Sequence, residues 1–136
     1  MKDLSIIIAA RNEIFLSRTI ENILSNITAD TEIIAVIDGE YADPPVKEHP
    51  LITLVRLPIS IGQRAAMNTA VRLSKARWIM KLDAHCSVAS GFDSILINDM
   101  QDDFTMVPIM KNLHAFDWIC KKCGDRRYQG NTPIDC

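Results

Sequence analysis

The feature that most constrains the fold is a run at residues 4–10 that contains three consecutive isoleucines and no charged side chain. Such a run is typical of a strand buried on both faces, as in the parallel sheets of α/β proteins. Apolar residues then recur at spacings of three and four over residues 16–27, which predicts a helix with one apolar face. Asn12 and Ser17 are candidate caps near its start. A buried strand followed by an amphipathic helix predicts an α/β fold.

The rest of the chain continues this alternation. We predict strands at residues 32–37, 52–57, 78–82 and 104–108, helices over about 66–73 and 93–100, and a proline-containing loop over 40–50. This order predicts an open, mostly parallel sheet with helices on both faces. We expect residues 1–110 to form this domain and residues 111–136 to begin a separate element.

Polar side chains cluster where three of the predicted strands end. The clusters are Arg11-Asn12-Glu13, Asp38-Gly39 and Asp83-Ala84-His85. In open α/β sheets the carboxyl ends of the strands meet at one edge, and ligands bind there. The sequence therefore predicts a ligand site at this edge.

Charge and hydropathy narrow the classes of partner. The chain has 136 residues and a net charge of -2, which gives no electrostatic reason to expect nucleic acid or an anionic membrane. No apolar run approaches the length of a membrane span, and the first is too short for a signal-peptide core. We therefore expect a cytoplasmic chain without a membrane span.

Asp83 and His85 form a candidate metal site. In an extended segment, side chains two residues apart point the same way. A carboxylate and an imidazole at a strand end suit Mn²⁺, and suit Mg²⁺ or Zn²⁺ less well. The alternative is that Asp83 caps the following turn and His85 is an ordinary surface residue.

Four segments resemble the GT-A fold glycosyltransferases of family 2, in order and in spacing. They are Ser5-Ile-Ile-Ile-Ala-Ala-Arg-Asn-Glu13, Val36-Ile-Asp-Gly39, Gly62-x-x-Ala65-Ala66-x-Asn68 and Trp78-Ile-Met-Lys-Leu-Asp-Ala-His-Cys86. The Asp-x-His form of the last segment, followed by cysteine, resembles the polypeptide N-acetylgalactosaminyltransferases and their bacterial and phage relatives. The resemblance covers residues 4–108 and implies an N-terminal fragment with a Rossmann-like GT-A fold.

The resemblance implies how a UDP-sugar would be bound. The uracil and ribose would contact Ala9, Arg11, Asn12, Glu13 and Asp38, and the phosphates or sugar would contact Gly62, Arg64 and Asn68. An acid can accept a hydrogen bond from the N–H of uracil, which would give Asp38 its role. The alternatives are that Asp38 forms a turn before Gly39, that Gly62 starts a helix and that Arg64 is a solvated helix residue.

The resemblance also implies that Asp83 and His85 hold Mn²⁺ or Mg²⁺ beneath the diphosphate. The cation would neutralise charge on the leaving nucleoside diphosphate. A histidine ligand must be neutral, so metal affinity should fall in acid. The sugar would be a hexose or an N-acetylhexosamine, and the acceptor a glycan, protein or lipid that the sequence does not identify.

Three cysteines near the C-terminus have the spacing Cys120-x₂-Cys123-x₁₂-Cys136. Two thiolates in a short turn and a third at this distance predict a structural zinc ribbon. The fourth ligand would be His114 or a cysteine beyond Cys136. The alternatives are a disordered tail with thiols, and a redox pair, which is disfavoured because no helix pattern follows Cys120.

No counterpart of a catalytic base or of an acceptor-binding segment occurs before Cys136. We therefore expect the fragment to bind nucleotide or metal weakly and not to turn over. Two other readings stay open, a non-catalytic nucleotide-binding module and a zinc-ribbon adaptor. A dehydrogenase is disfavoured because residues 9–13 lack the Gly-x-Gly-x-x-Gly pattern.

Overall fold

The computed structural model describes residues 1–111 and 117–128. The chain divides into two compact units, Met1–Met106 and Val107–Cys136. The first unit has the element order β1 (Leu4–Ala10), α1 (Leu16–Asn26), β2 (Thr31–Asp38), β3 (Ile52–Leu57), α2 (Gln63–Leu73), β4 (Trp78–Lys81) and α3 (Phe92–Asp99). The second unit contains β5 (Asp117–Ile119) and β6 (Arg126–Tyr128), which pair in an antiparallel hairpin.

The strands of the first unit form one parallel sheet in the order β3-β2-β1-β4. Strand β1 is central and pairs with β2 on one side and with β4 on the other. Because all four strands run the same way, their carboxyl ends lie along one edge, which we call the rim. The rim consists of the strand ends Ala10, Asp38, Leu57 and Lys81 and of the loops that follow them.

Alternate residues of β1 and β2 pack on opposite faces of the sheet, as strand geometry requires. On one face, Ile6, Ile8 and Ile33 pack with the apolar stripe of α1. On the other face, Ile7 and Ile34 lie in a second cluster with two buried alanines of α2, Ala66 and Ala70. Both central strands are therefore buried on both sides. The prediction of a parallel sheet with helices on both faces is confirmed.

Two local predictions are wrong. Residues 104–108 do not form a strand, and Phe104 and Val107 in that run are exposed. An apolar run becomes a strand only when it finds an edge to pair with, and this run pairs with none of the described strands. Helix α1 is preceded at its N-cap position by Phe15, which makes no side-chain capping bond, so neither Asn12 nor Ser17 caps it.

The start of α3 is fastened to the loop between α1 and β2 by one buried carboxylate. Asp93 accepts hydrogen bonds from the backbone N–H groups of Thr28 and Ala29 and from the hydroxyl of Thr31. Burial raises the pKa of Asp93, but these bonds outweigh burial and the net pKa is lowered. Asp93 therefore has a structural role away from the rim.

Among the described residues, no helix is both long enough and apolar enough to cross a bilayer.

Candidate functional site

The loop after β1 brings three polar residues to the centre of the rim. Arg11 and Asn12 are exposed, and Asn12 has a φ of 50°, in the left-handed region that asparagine tolerates better than most residues. The chain then turns so that the Glu13 carboxylate accepts a hydrogen bond from the backbone N–H of Phe15, at 3.2 Å. The Glu13 carboxylate therefore lies at the rim, before the first turn of α1.

Asp38 lies at the end of β2 with only 3% of its surface exposed. Its carboxylate accepts hydrogen bonds from the Ser60 hydroxyl (2.8 Å) and from the backbone N–H groups of Ile61 (2.7 Å) and Gly62 (2.9 Å). The Ile61 bond is the main cause that lowers the pKa of Asp38, and the other two bonds and the nearby Arg11 charge act in the same direction against burial. Asp38 therefore holds the loop that leads into α2.

Two glycines shape the loops at this part of the rim, Gly39 after β2 and Gly62 before α2. Gly39 has a φ of 99°, and a Cβ there would lie 3.1 Å from the backbone nitrogen of Ser60. Gly62 immediately precedes α2 with a φ of 90°, and a Cβ there would meet no atom within 4 Å. Gly39 is therefore needed for a close approach of two loops, whereas Gly62 is needed only for its backbone conformation.

The ends of β1 and β4 are joined by a contact between Glu13 and His85. Glu13 Oε2 lies 3.1 Å from His85 Nδ1. Since a carboxylate only accepts hydrogen bonds, Nδ1 is the donor, and in the neutral imidazole Nε2 is then the nitrogen that keeps the lone pair. The contact thus fixes both the orientation and the tautomer of the imidazole.

Asp83 lies in the segment after β4, and its carboxylate pairs with Lys81 Nζ at 3.0 Å. Both side chains are about half exposed. The strand ends at Lys81, and Ala84 and His85 form a turn, so the segment is not extended as far as His85. The sequence prediction assumed that Asp83 and His85 lie in one extended segment, with side chains on the same side. That assumption is wrong, because His85 lies in the turn.

The turn after Asp83 is hydrogen-bonded to Thr19 of α1. Thr19 is buried, with 2% of its surface exposed. The Thr19 hydroxyl donates to the carbonyl of Ala84 (2.9 Å) and accepts from the backbone N–H of Cys86 (3.1 Å). Ala84 is itself buried in the core. One hydroxyl thus clamps the turn on both sides of His85.

The described residues contain no cluster of three or more His, Cys, Asp or Glu side chains that could hold a metal ion by themselves. Asp83 and His85, after β4, carry an oxygen and a nitrogen donor of the kinds that Mn²⁺ accepts. The other rim carboxylates described above are engaged within the protein, Glu13 by His85 and Asp38 by the loop before α2. Such cations are often held by one or two side chains together with substrate phosphates. The donor set at the rim fits a cation shared with a substrate.

The model of the protein family described as "Glycosyl transferase family 2" matches residues 5–117 of the chain. The chain belongs to glycosyl transferase family 2. Its matched region contains every rim residue described above. The narrower resemblance to the polypeptide N-acetylgalactosaminyltransferases stays a prediction.

Among solved structures, this family 2 domain is similar to the "Crystal structure of S. aureus TarS". The TM-score is 0.55 with 13% sequence identity, and the match covers 78% of this chain. The likeness shows a shared GT-A-like α/β fold. The chain spans 23% of the TarS chain. A search of curated proteins found no match.

The structure brings together some of the other residues that the sequence predicted for the donor site of the family 2 domain. Arg11 lies close enough to Asp38 to lower the pKa of its carboxyl. Arg64 and Asn68 are exposed and lie four residues apart on α2, so they share a helix face. Ala9 is partly buried and packs against the core beside α2. Their contacts with a donor stay predictions.

Two features of the rim were missed by sequence reasoning. Thr19 lies within the helical pattern of α1, and nothing in the sequence shows that its hydroxyl reaches a turn 65 residues away. The second missed feature is a cavity at the rim, of about 210 Å³. Its lining residues are Ile37, Gly39, Tyr41, Arg56, Leu57 and Pro58. The Arg56 guanidinium lies over the Tyr41 ring, 5.2 Å from its centroid. Tyr41 lies in the loop of residues 40–50, where an isolated aromatic carries no periodic signal.

Within the second unit, Cys120 and Cys123 lie in the connection between β5 and β6. Cys136 and His114, the other predicted ligands, lie outside the described residues. Cys86, in the first unit, is half-buried, and burial raises the pKa of its thiol. Cys86 thus has the character of a small, partly buried packing residue.

Proposed function

We propose that the first unit is the donor-binding part of a metal-dependent glycosyltransferase that uses a UDP-sugar. The sugar would be a hexose or an N-acetylhexosamine, and the acceptor a glycan, protein or lipid. The observation that carries this proposal is the rim itself, where Asp83 and His85 follow β4 beside the loops of β1 and β2. Family membership supports a nucleotide-sugar donor and an acceptor.

Asp83 and His85 would hold Mn²⁺ or Mg²⁺ together with the donor diphosphate. When bound, the cation would offset the negative charge that builds on the leaving nucleoside diphosphate. Asp83 would contribute a hard, charged oxygen, and His85 would contribute Nε2. These two ligands alone would bind a cation weakly, so metal and nucleotide should bind cooperatively.

Lys81 is the competitor for this cation. Its ammonium group lies 3.0 Å from the Asp83 carboxylate and neutralises it. Exposed ion pairs of this kind contribute only about 0–1 kcal/mol, so a divalent cation can displace the ammonium at little cost. Once displaced, Lys81 would be available to a phosphate oxygen at the same rim.

Glu13 would act as the positioning residue for His85. A histidine that binds metal through one nitrogen commonly donates its other N–H to a carboxylate. The Glu13–His85 contact has this form. Glu13 is thus proposed to orient a ligand, in addition to the donor contact that the sequence predicted for it.

The nucleoside would lie on the other side of the β1 loop. The cavity beside Gly39 offers a tyrosine ring and a guanidinium, which are suited to an aromatic base. Arg11 supplies positive charge next to Asp38. Asp38 fixes the loop between β3 and α2 and so holds the start of α2 in place. Arg64 and Asn68, on that helix, would then face the donor.

A thermal-shift screen of the chain with UDP, GDP and their sugars, with and without Mn²⁺, tests the proposal. UDP with Mn²⁺ should stabilise the fold by up to about 2.7 kcal/mol at a hundredfold excess over Kd, and GDP should stabilise it less. His85→Ala should remove the Mn²⁺-dependent part, whereas the control His49→Ala, at an exposed loop position, should keep it. No shift with any nucleotide, or an equal shift in His85→Ala, would overturn the proposal.

A further inference from the structure

The second unit contains a tight cysteine turn that the proposed function does not use. Strands β5 and β6 pair from Asp117 opposite Tyr128 to Ile119 opposite Arg126. The connection is closed by two backbone bonds of 2.9 Å, from the Cys120 N–H to the Asp125 carbonyl and from the Gly124 N–H to the Cys120 carbonyl.

The second of these bonds spans four residues and places Cys120 and Cys123 within a single turn. Gly124 follows Cys123 with a φ of 75°, in the left-handed region. This conformation reverses the chain into β6, and a residue with a side chain adopts it only with strain. The turn thus holds two thiol-bearing residues at the tip of a hairpin.

The described part of the second unit buries little apolar surface. Val107–Cys136 is about 30 residues long, and units below about 40 residues usually need a disulfide, a metal or a partner to fold. The apolar residues of its hairpin are largely outside any core, since Trp118 is 42% exposed and Ile119 is 55% exposed. Units this small are usually stabilised by a disulfide or by a bound metal ion.

We propose that the β5–β6 hairpin is a zinc knuckle in which the Cys120 and Cys123 thiolates bind one Zn²⁺. The third ligand that the sequence predicted, Cys136, lies outside the described residues. Each thiol releases its proton to solvent as its sulfur binds the metal. Soft thiolates at the tip of a turn favour Zn²⁺ over Mn²⁺ and Mg²⁺, which prefer oxygen ligands.

The surroundings of the turn favour zinc over redox chemistry. A redox Cys-x₂-Cys pair is activated by the N-terminus of a helix, whereas Cys123 is followed by Gly124 and strand β6. Lys121 and Lys122 lie between the two cysteines and are exposed. Their positive charges would partly offset the negative charge of a zinc–thiolate centre.

The first test measures the zinc content of the full chain by mass spectrometry after expression in zinc-supplemented medium. We expect one zinc ion per chain, lost in Cys120→Ser and in Cys123→Ser. The matched control Lys122→Ser, in the same turn, should keep it. His85→Ala should also keep its zinc, which separates this site from the rim. Zinc-free wild-type protein that also fails to bind added Zn²⁺, or full zinc content in Cys120→Ser, would overturn the proposal.

The second test guards against variants that simply fail to fold. Cobalt in place of zinc should give the intense near-ultraviolet band of thiolate-to-metal charge transfer. Cys123→His replaces one ligand by another, so it should keep the metal and show a weaker band. Cys136→Ser should weaken metal binding, and unchanged binding would refute Cys136 as a ligand. Loss of all metal in Cys123→His with the first unit still folded by circular dichroism would contradict the knuckle.

Discussion

Glu13 Oε2 and His85 Nδ1 lie 3.1 Å apart and join two strand ends that are separated by 72 residues in the sequence. The contact couples the loop after β1 to the turn after β4. It allows the orientation of His85 to be tested separately from its presence.

Replacing the Glu13 carboxylate should weaken metal binding without removing a metal ligand. Glu13→Gln should lower the affinity for Mn²⁺ in the presence of UDP by about tenfold or more, the usual effect of losing such a partner. Calorimetric titration measures this, with Glu48→Gln in the exposed loop as control. Nitrogen-15 spectra of metal-free protein should also show a loss of the fixed His85 tautomer. Unchanged spectra and affinity would refute the positioning role.

Removing the Lys81 ammonium should strengthen metal binding. In Lys81→Met the Asp83 carboxylate no longer has its 3.0 Å partner, so Mn²⁺ should bind about two- to fivefold more tightly, the range expected for an exposed ion pair. Titration of Mn²⁺ in the absence of nucleotide isolates this effect from any contact of Lys81 with phosphate. Lys75→Met, also exposed, is the matched control. If Lys81→Met binds Mn²⁺ more weakly than wild type while Lys75→Met does not, Asp83 is not the ligand.

The Thr19 hydroxyl should matter to both stability and metal binding. Thr19→Val keeps the shape of the side chain but leaves the Ala84 carbonyl and the Cys86 N–H unpaired, which should destabilise the fold by about 1–3 kcal/mol. The loosened turn should also bind Mn²⁺ and UDP less tightly. Thr69→Val removes a hydroxyl that bonds only within α2 and is the control. Equal nucleotide affinity in the two variants would contradict the clamp.

Asp38 should make stability depend on pH in acid. Its pKa is lowered in the folded protein, chiefly by the Ile61 N–H bond, from an ordinary value of 3.8. The unfolded chain therefore takes up a proton at higher pH than the folded chain does. The stabilisation is complete above about pH 5 and is lost as pH falls through the lowered pKa.

Urea unfolding of Asp38→Asn at a series of pH values tests this. The variant should be less stable by about 1–3 kcal/mol at neutral pH, and its difference from wild type should shrink below about pH 4. Asp99→Asn, at an exposed position of α3, should follow the wild-type curve. A constant difference at all pH values would mean that the Asp38 charge does not stabilise the loop.

The sheet was predictable because its central strands carry unbroken apolar sequence. Strands β1 and β3 have the predicted bounds, β2 is one residue longer at each end, and β4 is one residue shorter at its C-terminal end. The exposed run 104–108 has similar apolar content, but no single-sequence pattern shows whether a strand finds an edge. Local periodicity thus succeeds where burial on both faces dictates composition, and fails where pairing decides.

The rim was predictable only as a set of strand ends. Parallel topology brings Glu13, Asp38 and Asp83 to one edge, but their partners depend on loop geometry. Asp38 was expected to face a base, and in the structure it bonds the loop before α2. The partners Thr19 and Lys81 come from elements whose sequence pattern shows only a helix and a strand.

The most direct test of the central claim is a calorimetric titration of UDP into the chain, in Mn²⁺ and then in chelator. Wild type should bind UDP at least tenfold more tightly with Mn²⁺, and Asp83→Asn and His85→Ala should each bind equally in the two buffers. Exposed Asp43→Asn should behave as wild type. If the two rim variants keep the full response to Mn²⁺, the cation does not bind between the β4 turn and the donor.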